Sequence, residues 1–145
     1  MLLALVVAIG ATGYWYVSRL TEGLPPATLS EETYRSINSG QIVGYKEPNG
    51  TLAWRGIPFA TPPVGELRWK APRAPEPWEG VREALAFGSA CPQRGFGGGT
   101  SGITGTEDCL YLNVWQPPRS ETERPVMFWI HGGANHIGEA ATPLY

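Results

Sequence analysis

Cysteine and histidine are scarce in this chain: its 145 residues hold two of each, Cys91, Cys109, His131 and His136. A structural metal centre built on sulfur and imidazole needs further ligands beside the cysteines, and no histidine lies between or next to them. His131, His136 and Glu139 fit neither an i, i+4 helical pair nor a known zinc pattern, so no metal is implied. An excess of one charge is also missing. Eleven basic and thirteen acidic residues leave a net charge of −2 and a pI near 5.7, which gives nucleic acid no basic face to bind. Residues 97–102 read G-x-G-x-x-G, but they follow no strand and open no helix, so a dinucleotide is not implied either. No other pattern calls for a cofactor. Beyond the N-terminus there is no amphipathic helical stretch of ordinary length.

What is present is enough apolar material for a core. Hydrophobic residues make up 42% of the chain, and six tryptophans and six tyrosines outweigh the disordering tendency of 19 glycines and 14 prolines. Residues 1–18 carry no charged side chain and as a helix would span roughly 27 Å at about 1.5 Å per residue, close to a bilayer core. Two readings are open. Tyr14-Trp15-Tyr16 followed by Arg19 resembles an interfacial belt of an uncleaved anchor, whereas small-x-small sites ending at Gly10 and Gly13 suit a cleaved signal. Arg19 alone would favour a cytoplasmic domain. Against it, an even pair of cysteines 18 positions apart reads as a disulfide in an oxidising compartment, with two free thiols as the alternative. The expectation is an exported protein, periplasmic, extracellular or lumenal, held at the membrane through residues 1–18 if they are retained.

Residues 19–35 are polar and contain Pro25-Pro26, as expected of a tether, and the folded domain is expected over residues 36–145. Residues 42–45 and 52–55 are strand-like runs on either side of Pro48-Asn49-Gly50, which predicts an opening β-hairpin. Asn49-Gly50-Thr51 is also a glycosylation sequon, although turn chemistry explains the same residues. Residues 58–77, with prolines at 58, 62, 63, 72, 75 and 77, must run extended and irregular, packing through Phe59, Leu67, Trp69 and, just beyond, Trp78. Residues 81–86 suggest a helical turn and residues 110–115 a strand. Val126-Met127-Phe128-Trp129-Ile130 is apolar at every position, the pattern of a central strand in a sheet covered on both faces. The chain has no helices to cover such a sheet, so it reads as part of a larger α/β domain.

After that strand comes His131-Gly132-Gly133-Ala134-Asn135-His136-Ile137-Gly138. Acyl transfer builds negative charge on a carbonyl oxygen, and fixed backbone N–H groups stabilise it best. Small residues let the backbone come close, and glycine allows successive amides to turn the same way. A plain glycine turn has the same composition, so the surrounding sequence must decide.

Several separated blocks do so. Trp54-Arg55-Gly56-Ile57-Pro58-Phe59-Ala60-Thr61-Pro62-Pro63-Val64-Gly65-Glu66-Leu67-Arg68-Trp69, then Pro77-Trp78-Glu79-Gly80-Val81, Cys91-Pro92-Gln93 and Glu107-Asp108-Cys109-Leu110-Tyr111-Leu112-Asn113-Val114 appear in order. Together with the HGG-type loop, this resembles the type B carboxylesterase and cholinesterase family over residues 42–138. The resemblance implies the N-terminal part of an α/β-hydrolase, comprising an opening hairpin, a proline-rich wrap and the first strands of the central sheet. It also implies that Cys91 and Cys109 form the family's first disulfide and that Arg68 and Glu107 form a structural salt bridge. By the same resemblance, Gly133 and Ala134 donate backbone amides to an oxyanion, with Gly132 and Asn135 beside the substrate. Asn135 departs from the family, where an aromatic residue is usual.

The family's serine lies in a G-x-S-x-G elbow, and no such motif occurs here; Ser101, in Gly99-Thr100-Ser101-Gly102, lacks the second glycine at the right spacing. The nucleophile, acid and general base are therefore expected beyond this chain, and the 145 residues alone are expected to be inactive. The leading expectation is part of an exported serine carboxylic ester hydrolase acting on small-molecule esters. The competing one is a non-catalytic, cholinesterase-like adhesion or binding module. A third is a free-standing small β domain that binds ligands through exposed aromatics.

Overall fold

A computed structural model describes residues 27–95, 102–118 and 123–142. Among these residues the regular elements are a 3-10 helix at Glu31–Thr33, β1 (Arg35–Ile37), β2 (Gly40–Val43), β3 (Tyr45–Lys46) and β4 (Leu52–Pro58), followed by a 3-10 helix at Gly65–Leu67 and then β5 (Val81–Glu83), β6 (Gln93–Arg94), β7 (Ile103–Thr104) and β8 (Tyr111–Gln116). Three small sheets result, in the orders β1-β2-β5, β3-β4-β8 and β6-β7. All pairings are antiparallel except β2 with β5. Residues 1–18, expected to be an anchor or signal, lie outside the described residues, as do Ser101 and most of the 97–102 glycine run. Among the described residues no helix is long and apolar enough to cross a membrane.

The expected hairpin is β3–β4. Glu47 N donates to Thr51 O at 2.8 Å and Gly50 N to Glu47 O at 2.8 Å, while Asn49 Oδ1 accepts from Thr51 N at 3.0 Å, so the Pro-Asn-Gly segment closes the turn with its own side chain. The run 42–45 is shared between two strands, because β2 ends at Val43 and β3 begins at Tyr45.

Strand β4 is the central strand of its sheet, between β3 and β8. It pairs with β8 through a register shift between Trp54 and Ile57, a bulge with Gly56 in the left-handed region at φ 68°. The bulge frees two amides from the ladder, and both find acceptors: Arg55 N donates to Ala84 O at 2.8 Å and Gly56 N to Asn113 Oδ1 at 2.9 Å. Ile42, Leu52, Trp54, Ile57 and Ala84 form the core, with Trp78 and Leu112 packed against it.

Residues 29–35, read from composition as the end of a polar tether, belong to this packed unit. Ser30 N donates to Gly44 O at 3.1 Å, and Thr33, fully buried, accepts from Gly44 N through Oγ1 at 2.8 Å. Its carbonyl accepts from the buried indole Nε1 of Trp54 at 2.7 Å. Thr33 is spent on buried hydrogen bonds, which composition alone does not distinguish from solvation.

Three expectations are corrected. Residues 81–86 are not a helical turn: Val81–Glu83 is a strand on the open edge of β2, continued by Ala84 N donating to Val43 O at 2.7 Å. A six-residue helix has a costly nucleus and few bonds, whereas a free strand edge offers its bonds at once. Trp69 does not pack inward; it is 91% exposed at φ 61°, with the Arg68 guanidinium 5.6 Å from its ring. Phe59 is also exposed, and Trp78 supplies the inward aromatic of that region, donating Nε1 to Gln41 O at 2.8 Å. Residues 126–130 form no strand among the described residues, and their side chains are 64% to 91% exposed. A strand apolar on both faces needs neighbours at its edges and a layer on each side, and the described elements do not form that surrounding.

Candidate functional site

The loop after this apolar stretch, residues 131–138, is a closed turn. Gly133 O accepts from both His136 N at 3.0 Å and Ile137 N at 3.2 Å. Three consecutive residues have positive φ: Gly133 at 128°, Ala134 at 53° and Asn135 at 60°. Only glycine occupies the first of these readily, and a Cβ there would overlap the Ile137 carbonyl oxygen. Ala134 adopts a left-handed conformation that is unfavourable by about 1 kcal/mol for an L-residue. Asn135 is among the residues that tolerate it best, which gives a backbone reason for asparagine at this position.

Among the described residues no acceptor takes the N–H groups of Gly132, Gly133, Ala134 or Asn135. A row of unpaired backbone donors on a tightly closed loop is what an oxyanion requires, since the donors are fixed before charge develops. His131 turns its Nδ1 to Gly132 O at 2.8 Å, so its ring is engaged with the loop's own backbone.

The far end of the loop is fastened to a different part of the chain. Gln93 Nε2 donates to Gly138 O at 3.0 Å, and Gln93 Oε1 accepts from Gly138 N at 2.6 Å. Gln93 sits in β6, two residues after Cys91, whose disulfide to Cys109 brings the two Cα atoms to 5.0 Å. Strand β6 pairs with β7, and Thr106 N donates to Ala90 O at 2.9 Å, closing the base of this arm. Nearby in sequence, Glu107 Oε1 lies 2.6 Å from Arg68 Nε, which ties the proline-rich segment to the arm; both side chains are largely exposed.

The fold thus places Gly132, Gly133, Ala134 and Asn135 on one turn, with the disulfide arm docked to its end. Sequence reading assigned no role to Gln93 or Gly138. The block Cys91-Pro92-Gln93 marked the glutamine, but a contact across 45 positions leaves no periodicity to read. A cavity of about 250 Å³ lies elsewhere, between Phe59, Thr61, Leu67, Arg73 and Leu110, and no loop residue lines it. Among the described residues no group of three or more His, Cys, Asp or Glu is placed to hold a metal ion.

Comparison with known proteins gives this arrangement its setting. The model of the carboxylesterase family matches residues 31–145, and the chain belongs to that family. It is 48% identical over 115 residues to the para-nitrobenzyl esterase of Bacillus subtilis (strain 168), covering 73% of this chain and 22% of that protein. It is 45% identical over 114 residues to the phenmedipham hydrolase of Pseudarthrobacter oxydans, covering 74% and 23%. A solved structure of a PNB esterase superposes with a TM-score of 0.70 at 42% identity, covering 78% of this chain and 24% of that one. The carboxylesterase of Geobacillus stearothermophilus at pH 6.8 gives 0.66 at 41%, covering 78% and 22%. The chain therefore spans less than a quarter of the length of these relatives. Its fold class is that of the N-terminal part of an α/β-hydrolase.

Proposed function

We propose that this chain supplies the oxyanion-stabilising loop of an exported serine carboxylic ester hydrolase that acts on small-molecule esters. The observation that carries this reading is the closed turn at residues 132–135, with N–H groups that no described residue accepts from and three successive positive φ values. During attack on an ester the carbonyl oxygen gains negative charge. The amides of Gly133 and Ala134 donate to it, Gly132 precedes them, and Asn135 lines the adjoining substrate pocket. Removing one such donor costs on the order of a hundred- to thousandfold in rate. A serine nucleophile, its general base and its acid come from polypeptide other than these 145 residues. The anchor or signal reading of residues 1–18 and the cysteine pair support export.

The test is a hybrid enzyme. Residues 31–145 replace the matching segment of the Bacillus subtilis para-nitrobenzyl esterase, and p-nitrophenyl acetate hydrolysis is measured. The expected result is esterase activity that is sensitive to a serine-directed inhibitor, while the 145-residue chain alone shows none above background. A folded but inactive hybrid sinks the reading.

A further inference from the structure

We infer that Gln93 is the positioning residue of the oxyanion loop, its carboxamide clamping both backbone groups of Gly138 so that the Gly133 and Ala134 amides stay aimed. The inference rests on the function proposed above and adds a residue to it. A side-chain amide that donates to one residue's carbonyl and accepts from the same residue's N–H imitates a strand neighbour, and it fixes that peptide in both position and rotation. The two ends of the loop then move as one body. A Cβ on Gly138 would lie 2.5 Å from Gly132 O and 2.6 Å from His131 Nδ1, so Gly138 is packed directly onto the residues that precede the donors. On the other side, His136 N and Ile137 N are both bonded to Gly133 O. Apart from the His131 ring, the contacts from Gly138 to Gly133 are backbone against backbone and have no rotamer to yield into.

The clamp is itself mounted on a stiff base. Gln93 pairs with Thr104 in the β6–β7 ladder and lies two residues after Cys91 of the Cys91–Cys109 disulfide, so its carboxamide is presented from a cross-linked arm. Two of the three successive residues with positive φ, Ala134 and Asn135, are not glycine, and such a loop relaxes if nothing holds it. A misplacement of about 1 Å in an aligned site costs on the order of a hundredfold in rate.

Two measurements test the inference. In the hybrid esterase, Gln93→Met keeps the side-chain volume and removes both hydrogen bonds to Gly138, together with the 3.2 Å bond from Nε2 to Cys91 O. The expected result is a fall in kcat of about ten- to a hundredfold with KM within about threefold of the parent. Gln93→Glu, which keeps the acceptor for Gly138 N and sets a second acceptor against Gly138 O, should fall between the parent and Gln93→Met. Unchanged kcat in an active hybrid overturns the positioning role while leaving the proposed function standing; an inactive parent hybrid defeats the proposed function instead. Independently of activity, amide hydrogen exchange in the hybrid esterase reads the clamp directly. Gln93→Met should speed exchange at Gly138, His136 and Ile137 by about tenfold or more, in proportion to the local opening it permits. Equal exchange in parent and variant overturns the inference.

Discussion

Gly133→Ala is the substitution on which the geometry speaks most directly. The position has φ 128°, and the added Cβ would overlap the Ile137 carbonyl oxygen, which is backbone and has no rotamer to escape into. The turn must open. Opening gives up the bonds from His136 N and Ile137 N to Gly133 O, each with a net value of about 0.5–1.5 kcal/mol. An alanine forced to keep the parent conformation meets strain of about 1–3 kcal/mol. Either way the cost is a few kcal/mol, comparable with the ~3–4 kcal/mol lost when an oxyanion donor is removed. In the hybrid esterase, kcat on p-nitrophenyl acetate should therefore drop by about two to three powers of ten, with KM moving far less. Circular dichroism and the urea midpoint of the same sample check that the protein remains folded. A variant with kcat within about threefold of the parent would mean that the turn is not closed around Gly133 during catalysis, and the oxyanion assignment would go with it.

Other predictions concern the frame around the loop. Trp54→Phe removes the indole donor to Thr33 O inside the core, and the urea midpoint of the hybrid should fall by an amount equivalent to about 1–3 kcal/mol. Arg68→Ala and Glu107→Ala, taken through a double-mutant cycle, should show a coupling below about 1 kcal/mol despite the short contact, because water screens side chains that are 58% and 39% exposed. Burial pushes the phenols of Tyr45 and Tyr111 above the ordinary tyrosine value, reinforced at Tyr111 by its hydrogen bond to Asp108 and opposed at Tyr45 by Arg55. The folded protein holds these protons more tightly than the unfolded chain. Their contribution to stability is thus complete below a pH of about 10 and disappears as pH rises through the raised values. Replacing both by phenylalanine should flatten the alkaline limb of a stability-against-pH curve.

Local chemistry made part of this fold legible. Pro48-Asn49-Gly50 announced its turn, Leu110 to Trp115 its strand, and the order of blocks from Trp54 to Val114 its family. Other features depended on distant partners. Val81–Glu83 is a strand because β2 has a free edge 40 positions earlier in the chain, a fact no local window contains. The polar residues around Thr33 read as a tether because hydrogen bonds to Gly44 and Trp54 leave no mark on composition. Within the site, the small residues at 132–134 were readable as a close-approach loop, yet the left-handed conformation of Asn135 and the reach of Gln93 to Gly138 were not. One is a property of a turn's geometry, the other of two segments 45 positions apart.

The bare stretch at residues 126–130 also has a consequence in time. Five consecutive apolar residues with strand-forming side chains and no charge are the kind of segment that stacks on its own copies when left uncovered. A relative more than four times as long as the matched region has most of its length outside it. At about 5–20 residues per second, several hundred residues take on the order of half a minute. In a protein of that length such a segment needs shielding by something other than its own sheet for that interval, so slower synthesis or fewer chaperones should lower the yield of folded protein.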